Sequence, residues 1–99
     1  MNYEYVYDPI ALREYIDAIS WYKSRSDKAA VNFVKEVADR INLICDNPLR
    51  FRNPYKNFRE TSLKKYPYSI VYFLDDRKKK VIITSVFHTK RDPQKKYHK

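Results

Sequence analysis

Tyr68-Ser69-Ile70-Val71-Tyr72-Phe73-Leu74 and Val81-Ile82-Ile83-Thr84-Ser85-Val86-Phe87 are apolar on both faces and rich in β-branched and aromatic residues, which suits strands in the middle of a sheet. Only Asp75 to Lys80 separates them, a connection short enough to force a hairpin. Upstream, Phe58 to Lys64 is polar and alternating and reads as a third strand, so this half of the chain is predicted to be a three-stranded meander. The chain contains no glycine. Asp75, Asp76 or Asn57 is therefore expected to supply any left-handed turn residue.

Toward the N-terminus the period changes. Leu49 to Lys56 is irregular, and Asn47-Pro48 before it is a strong helix stop. Ala30, Phe33, Val34, Val37, Ile41 and Ile44 form one stripe at helical spacing, and Leu12, Tyr15, Ile16, Ile19 and Tyr22 form another, interrupted by Ser24-Arg25-Ser26-Asp27. Asp8-Pro9 provides an N-cap followed by a proline at the first helical position, where its missing N–H costs nothing. Tyr3 to Tyr7 reads as a short strand. The order is β-α-α-β-β-β, an α+β domain with a helical hairpin packed on one face of a small, mostly antiparallel sheet. Residues 1–99 make one domain, with 88–99 a basic tail that has no periodicity and lies on the sheet or on a partner. The sheet face turned away from the helices is expected to be an open, concave surface beside Arg59, Lys64 and the tail.

Ninety-nine residues allow one modest core and no deep enclosed cavity, which argues against small-molecule metabolism. The single cysteine, Cys45, permits no intramolecular disulfide and no cysteine-based metal site, and is expected to be a buried, inert filler. Glu4, Asp8, Arg13, Glu14 and Asp17 in the first twenty residues argue against a signal peptide or membrane span, so the protein is expected in the cytoplasm. Metal-ligand spacing, a glycine-rich phosphate loop and a Ser/His/Asp order are absent from the sequence, and no cofactor is implied.

Charge is divided unequally. Residues 1–49 carry a net −2 and residues 50–99 a net +11. Such an imbalance favours a polyanionic partner, and the tyrosines interleaved with the cations, Tyr55, Tyr66, Tyr68, Tyr72 and Tyr97, offer faces on which bases can stack. Lys64, Lys65, Lys90, Lys95 and Lys96 are the expected nucleic-acid contacts. The plainer reading, a solubilising charge run, suits Arg77-Lys78-Lys79-Lys80 at a hairpin tip.

The element order, the stop at Asn47-Pro48, Arg59 within Phe58-Arg59-Glu60, the Tyr68 to Tyr72 strand and the ending Val86-Phe87-His88-Thr89-Lys90-Arg91-Asp92-Pro93 together resemble the RelE/ParE superfamily of bacterial type II toxins. The resemblance implies a toxin neutralised by a small acidic antitoxin. It implies one of two activities: ribosome-dependent cleavage of mRNA, as in RelE-like members, or inhibition of DNA gyrase, as in ParE-like members. The sequence departs from the RelE pattern at Ser69, where that pattern has an arginine, and at Glu60 and Ser62, where it tends to have lysines. The tail, with His88, Lys90, Arg91 and Tyr97, favours the ribonuclease, so mRNA cleavage is the leading expectation, gyrase inhibition the alternative, and an inert nucleic-acid-binding module a third reading.

For cleavage through the 2′-hydroxyl, His88 would move a proton, Arg59 and Arg91 would hold phosphate charge, and Tyr97 would stack. Each has a plainer role. His88 can end a strand with a satisfied hydrogen bond. Arg59 can be a structural cation, Arg91 can pair with Asp92, and Tyr97 stands close to a chain end. Trp21 and Tyr22 read as core or as a patch for a protein partner.

Overall fold

The computed structural model describes residues 3–91 and 93–97. Its elements are β1 (Glu4–Tyr7), α1 (Pro9–Lys23), α2 (Asp27–Asp46), β2 (Arg52–Tyr55), β3 (Phe58–Ser62), β4 (Tyr68–Asp75), β5 (Lys80–His88) and a 3-10 turn, Pro93–Lys95. One five-stranded sheet runs in the order β1-β5-β4-β3-β2. The β1 strand lies parallel to β5, and every other pair is antiparallel. Both helices lie on one face, as the sequence predicts.

Both helix starts follow from side chains that accept an otherwise unpaired N–H. Asp8 Oδ1 accepts from the Ala11 amide at 2.9 Å, and Ser26 Oγ accepts from Ala29 at 3.2 Å. The α2 stripe buries Ala30, Phe33, Val37, Ile41 and Ile44 as expected, and Cys45 is buried beside them. The α1 face is turned from its predicted position. Ala11 and Ala18 are buried with Tyr15, Ile19 and Tyr22 packed round them, while Leu12 and Ile16 stand exposed. Two alanines let α1 approach β5 and α2 closely, so close packing chose small residues over the larger ones nearby.

The stretch predicted to be irregular contains a strand. Arg52 pairs with Glu60 and Tyr55 with Phe58, with an irregularity between. Arg52-Asn53-Pro54-Tyr55 has no β-branched residue and carries a proline, which only an edge position tolerates. Asn53 Nδ2 donates to the carbonyls of Lys56 and Phe58 and so folds the turn onto itself. The left-handed residues are Lys56 (φ 50°) and Lys79 (φ 55°), not Asn57, Asp75 or Asp76. With no glycine available, each hairpin accepts the roughly 1–2 kcal/mol cost of a side chain at positive φ.

The sheet face turned away from the helices is covered, which corrects the expected open surface. Phe58, Val71 and Phe87 form a second small core there, and Phe73 and Tyr97 pack against it. The tail starts at the end of β5, where the Thr89 amide donates to Pro67 O at 2.9 Å. It then crosses β4 to reach β3 and β2.

Candidate functional site

Alternation along β3 divides the residues of interest. Phe58 and Glu60 point to the tail side, so Arg59 and Thr61 leave from the helix side. Arg59 Nη1 donates to Phe51 O at 2.8 Å and to Leu49 O at 3.4 Å. It ties the segment before β2 to the sheet, and its charge lies beside Tyr72. Tyr72 is buried, with its hydroxyl donating to Pro48 O at 2.5 Å; burial pushes that hydroxyl up to about 12. It is closed to a nucleobase, contrary to expectation.

On the tail side, Glu60 is 1% exposed. A buried carboxylate needs partners, and three reach it. Lys96 Nζ donates to Oε2 at 3.0 Å, the Tyr97 hydroxyl donates to Oε1 at 2.7 Å, and Arg52 Nη2 donates to Oε2. The Tyr97 hydroxyl is pushed up to about 12 by burial and by its bond to this carboxylate. Tyr97 also lies against Phe58 and Tyr55, at ring-centroid distances of 5.2 and 5.0 Å. Sequence reasoning treated Glu60 as a departure from a family pattern. The chain uses it as the anchor that holds the tail on the sheet.

His88 and Arg91 meet at the other end of β5. A groove of about 440 Å³ is lined by Asp17, Trp21, Tyr22, Tyr68, His88 and Arg91, among others. The Tyr68 and His88 rings meet edge to face at 5.0 Å, and His88 Nδ1 accepts from the Lys90 amide at 3.1 Å. That bond leaves the proton of the neutral imidazole on Nε2. Arg91 Nη1 donates to Glu14 Oε2 at 2.7 Å, while Glu14 Oε1 accepts from Ser85 Oγ at 2.8 Å and the Val86 amide at 3.0 Å. The β1 strand pairs β5 only from Lys80 to Ile83, and beyond it Glu14, from α1, supplies the acceptor for the Val86 amide. Nothing in the sequence spacing, 77 residues, linked Glu14 to Arg91. The Arg91–Asp92 pair considered from the sequence falls on Asp92, which lies outside the described residues.

The remaining expected contacts are scattered. The amides of Lys64 and Lys65 donate to the Glu36 carboxylate on α2, in a second groove with Lys35, Asp39 and Arg40. Lys90 and Lys95 are exposed. Tyr66 donates its hydroxyl to Ala29 O at 3.1 Å, and Tyr68 packs against the main core. Of the interleaved tyrosines, Tyr55 is exposed and Tyr97 half-buried. Thus His88 and Arg91 share one groove, Tyr97, Lys96 and Glu60 share the tail face, the Phe87 ring lies between them with Arg91 at 5.6 Å and Lys96 at 5.5 Å from its centroid, and Arg59 stands apart from both.

Comparison with known proteins places this arrangement. The fold is similar to that of a protein from the chromosomal ParDE toxin–antitoxin system of P. aeruginosa (TM-score 0.75, 11% identity, 89% of this chain and 97% of that one). It is also similar to a mutant E. coli RelE toxin in the free state (TM-score 0.59, 18% identity, 91% and 86%) and to the intact E. coli RelBE toxin–antitoxin complex (TM-score 0.57, 18% identity, 90% and 99%). No curated protein matches the sequence. Residues 5–93 match the family described as the ParE toxin of type II toxin–antitoxin system, parDE, so the chain belongs to the ParE toxin family, within the RelE/ParE superfamily of type II toxins.

Proposed function

We propose that this toxin arrests growth by binding DNA gyrase and holding it inactive, without nuclease chemistry of its own. The supporting observation is the separation just described. In-line attack by a 2′-hydroxyl needs a proton acceptor, a proton donor and cations converging on one phosphate. Here Arg59, Arg91 and Tyr97 are each bonded to a different partner within the chain, Phe51 O, Glu14 and Glu60. Membership of the ParE family supports the same reading, since inhibition of gyrase is what the likeness to ParE-like members implies. The partner that neutralises it is an acidic antitoxin, matched to the +11 of the second half, and the toxin acts in the cytoplasm.

The test is expression without the antitoxin, paired with supercoiling by purified gyrase. DNA-damage signalling is expected before translation falls, with supercoiling blocked in vitro. Translation stopping first, with mRNA cut on programmed ribosomes, would reject the reading. One observation favours that second course: the His88 imidazole stands beside Tyr68 and Arg91 at the edge of a groove. On it, His88→Ala would lower cleavage by roughly a hundredfold. On the gyrase reading no ribosomal cleavage is there to lose.

A further inference from the structure

The β2–β3 hairpin and the end of the tail bring together three rings that the gyrase reading does not use. Phe58 is buried, Tyr97 lies against it, and Tyr55 is the outermost, 45% exposed. The Tyr55 ring is stacked on both, 28° from the plane of Tyr97 and 9° from that of Phe58, while those two are tilted 37° to each other. Cations surround it. Lys56 Nζ stands over the Tyr55 ring, 5.3 Å from its centroid, and would move to a phosphate as a base takes that face, and Arg52 and Lys96 are held on Glu60. Lys95 is exposed in the adjoining turn.

Two features make this more than a solvated hairpin. A half-exposed aromatic ring backed by two others is stiff, so little conformational freedom is lost when a flat ligand lies on it. Its backing is also fixed by a buried carboxylate: Glu60 pins the Tyr97 hydroxyl, and Tyr97 in turn supports Tyr55. We propose that Tyr55, with Lys56, Arg52 and Lys95 round it, is a platform for single-stranded DNA, one unpaired base stacking on the Tyr55 ring while the cations take the flanking phosphates. An acidic peptide would use the cations and leave the ring idle; a duplex would keep its bases stacked and out of reach. The choice of DNA over RNA rests on the gyrase reading, because the target that the toxin meets there is a DNA-bound enzyme.

The experiment measures anisotropy of a labelled short oligothymidylate with the full chain, against a blunt duplex and an oligouridylate. Oligothymidylate is expected to bind tightest, weakening steeply between about 50 and 200 mM salt. Tyr55→Ala should weaken it about tenfold or more, with Tyr55→Phe restoring most of the loss, since the ring is what stacks. Lys56→Gln should reduce the slope of log affinity against log salt by about 0.7. Lys78→Gln, at the β4–β5 tip, should change neither the ring effect nor the preference for single strands. Equal binding by Tyr55→Ala, equal binding of the duplex, or tighter binding of oligouridylate would each overturn the proposal. Circular dichroism of Tyr55→Ala guards against a folding defect, and Tyr55→Phe, which keeps the ring, is the control that should still bind. Loss of oligothymidylate binding leaves gyrase inhibition untouched, whereas intact supercoiling in the presence of toxin rejects the gyrase reading and leaves the platform measurable.

Discussion

The two faces of the sheet are built by different physics. On the helix face, Phe33 lies against Tyr15, Tyr22, Tyr66 and Tyr68 with ring centroids 5.1 to 6.1 Å apart, Tyr66 and Tyr72 send neutral hydroxyls to carbonyls, and the Arg59 cation is held at the margin on two more. On the tail face a smaller apolar patch, Phe58, Val71 and Phe87, is joined to a buried carboxylate that two cations and a phenol satisfy. The first face needs only apolar burial, which favours any well-packed arrangement. The second needs specific partners for one charge: Arg52 comes from β2, and the other two, Lys96 and Tyr97, arrive on a segment with no strand or long helix of its own. A segment held in this way opens at less cost than the core does.

The sharpest break in that contrast is Phe33→Ala. Removing a fully buried ring from the centre of the aromatic cluster should cost about 3–5 kcal/mol, read as a lower urea midpoint with both faces lost in one transition. Glu60→Gln should cost less, about 1–3 kcal/mol. Arg52, with its side chain 67% exposed, and Lys96, at 20%, can return to water, so the full penalty of an orphaned buried charge is avoided. Amide exchange should accelerate at residues 94–97 and stay slow in α2. Equal acceleration in both regions would show that the tail is part of the main cooperative unit. Glu14→Gln is expected to cost about 1–2 kcal/mol, because an amide retains one acceptor for Ser85 and Val86 but loses the ion pair to Arg91. Its exchange signature should fall at Val86 and Arg91, between the two faces.

The same contrast explains what could be read from the sequence. The helix face is written in periodicities: α2 with its cap and its proline stop, and β4 and β5 as runs apolar on both sides. The α1 face was legible in outline only, because Ala11 and Ala18 carry little hydrophobic signal although they define the contact. The β2 strand was hidden by Pro54 and exists because β3 offers it an edge. Tail placement was hidden more deeply. Glu60 read as a surface charge out of pattern, and its partners Lys96 and Tyr97 are some 36 residues away, with no period to connect them. His88 and Arg91 were found because short motifs carry them, but Glu14, which orients Arg91, had no motif. Burial of a charge is a property of the assembled fold, so neither local composition nor spacing announces it.

The smallest effect is a titration. The Tyr97 hydroxyl is raised to about 12, by burial first and by the Glu60 bond second. A raised value means that the folded state holds its proton more tightly than the unfolded chain does. The stability from this group is therefore complete below about pH 10, the ordinary tyrosine value, and is lost as pH rises toward 12. Tyr97→Phe should be less stable than the parent near pH 8 by up to about 1.5 kcal/mol, one hydrogen bond's worth. The gap should close as pH rises above 10, because the parent loses a contribution that the variant never had. Groups common to both proteins and away from Glu60 cancel in the difference. Tyr72 is also raised to about 12, but it lies on the helix face, and it too cancels between parent and Tyr97→Phe. Paired urea curves at several pH values would show the effect. No gap between parent and Tyr97→Phe near pH 8 would mean that Tyr97 holds the tail by ring packing alone, and the contrast between the two faces would rest on Lys96 and Arg52 instead.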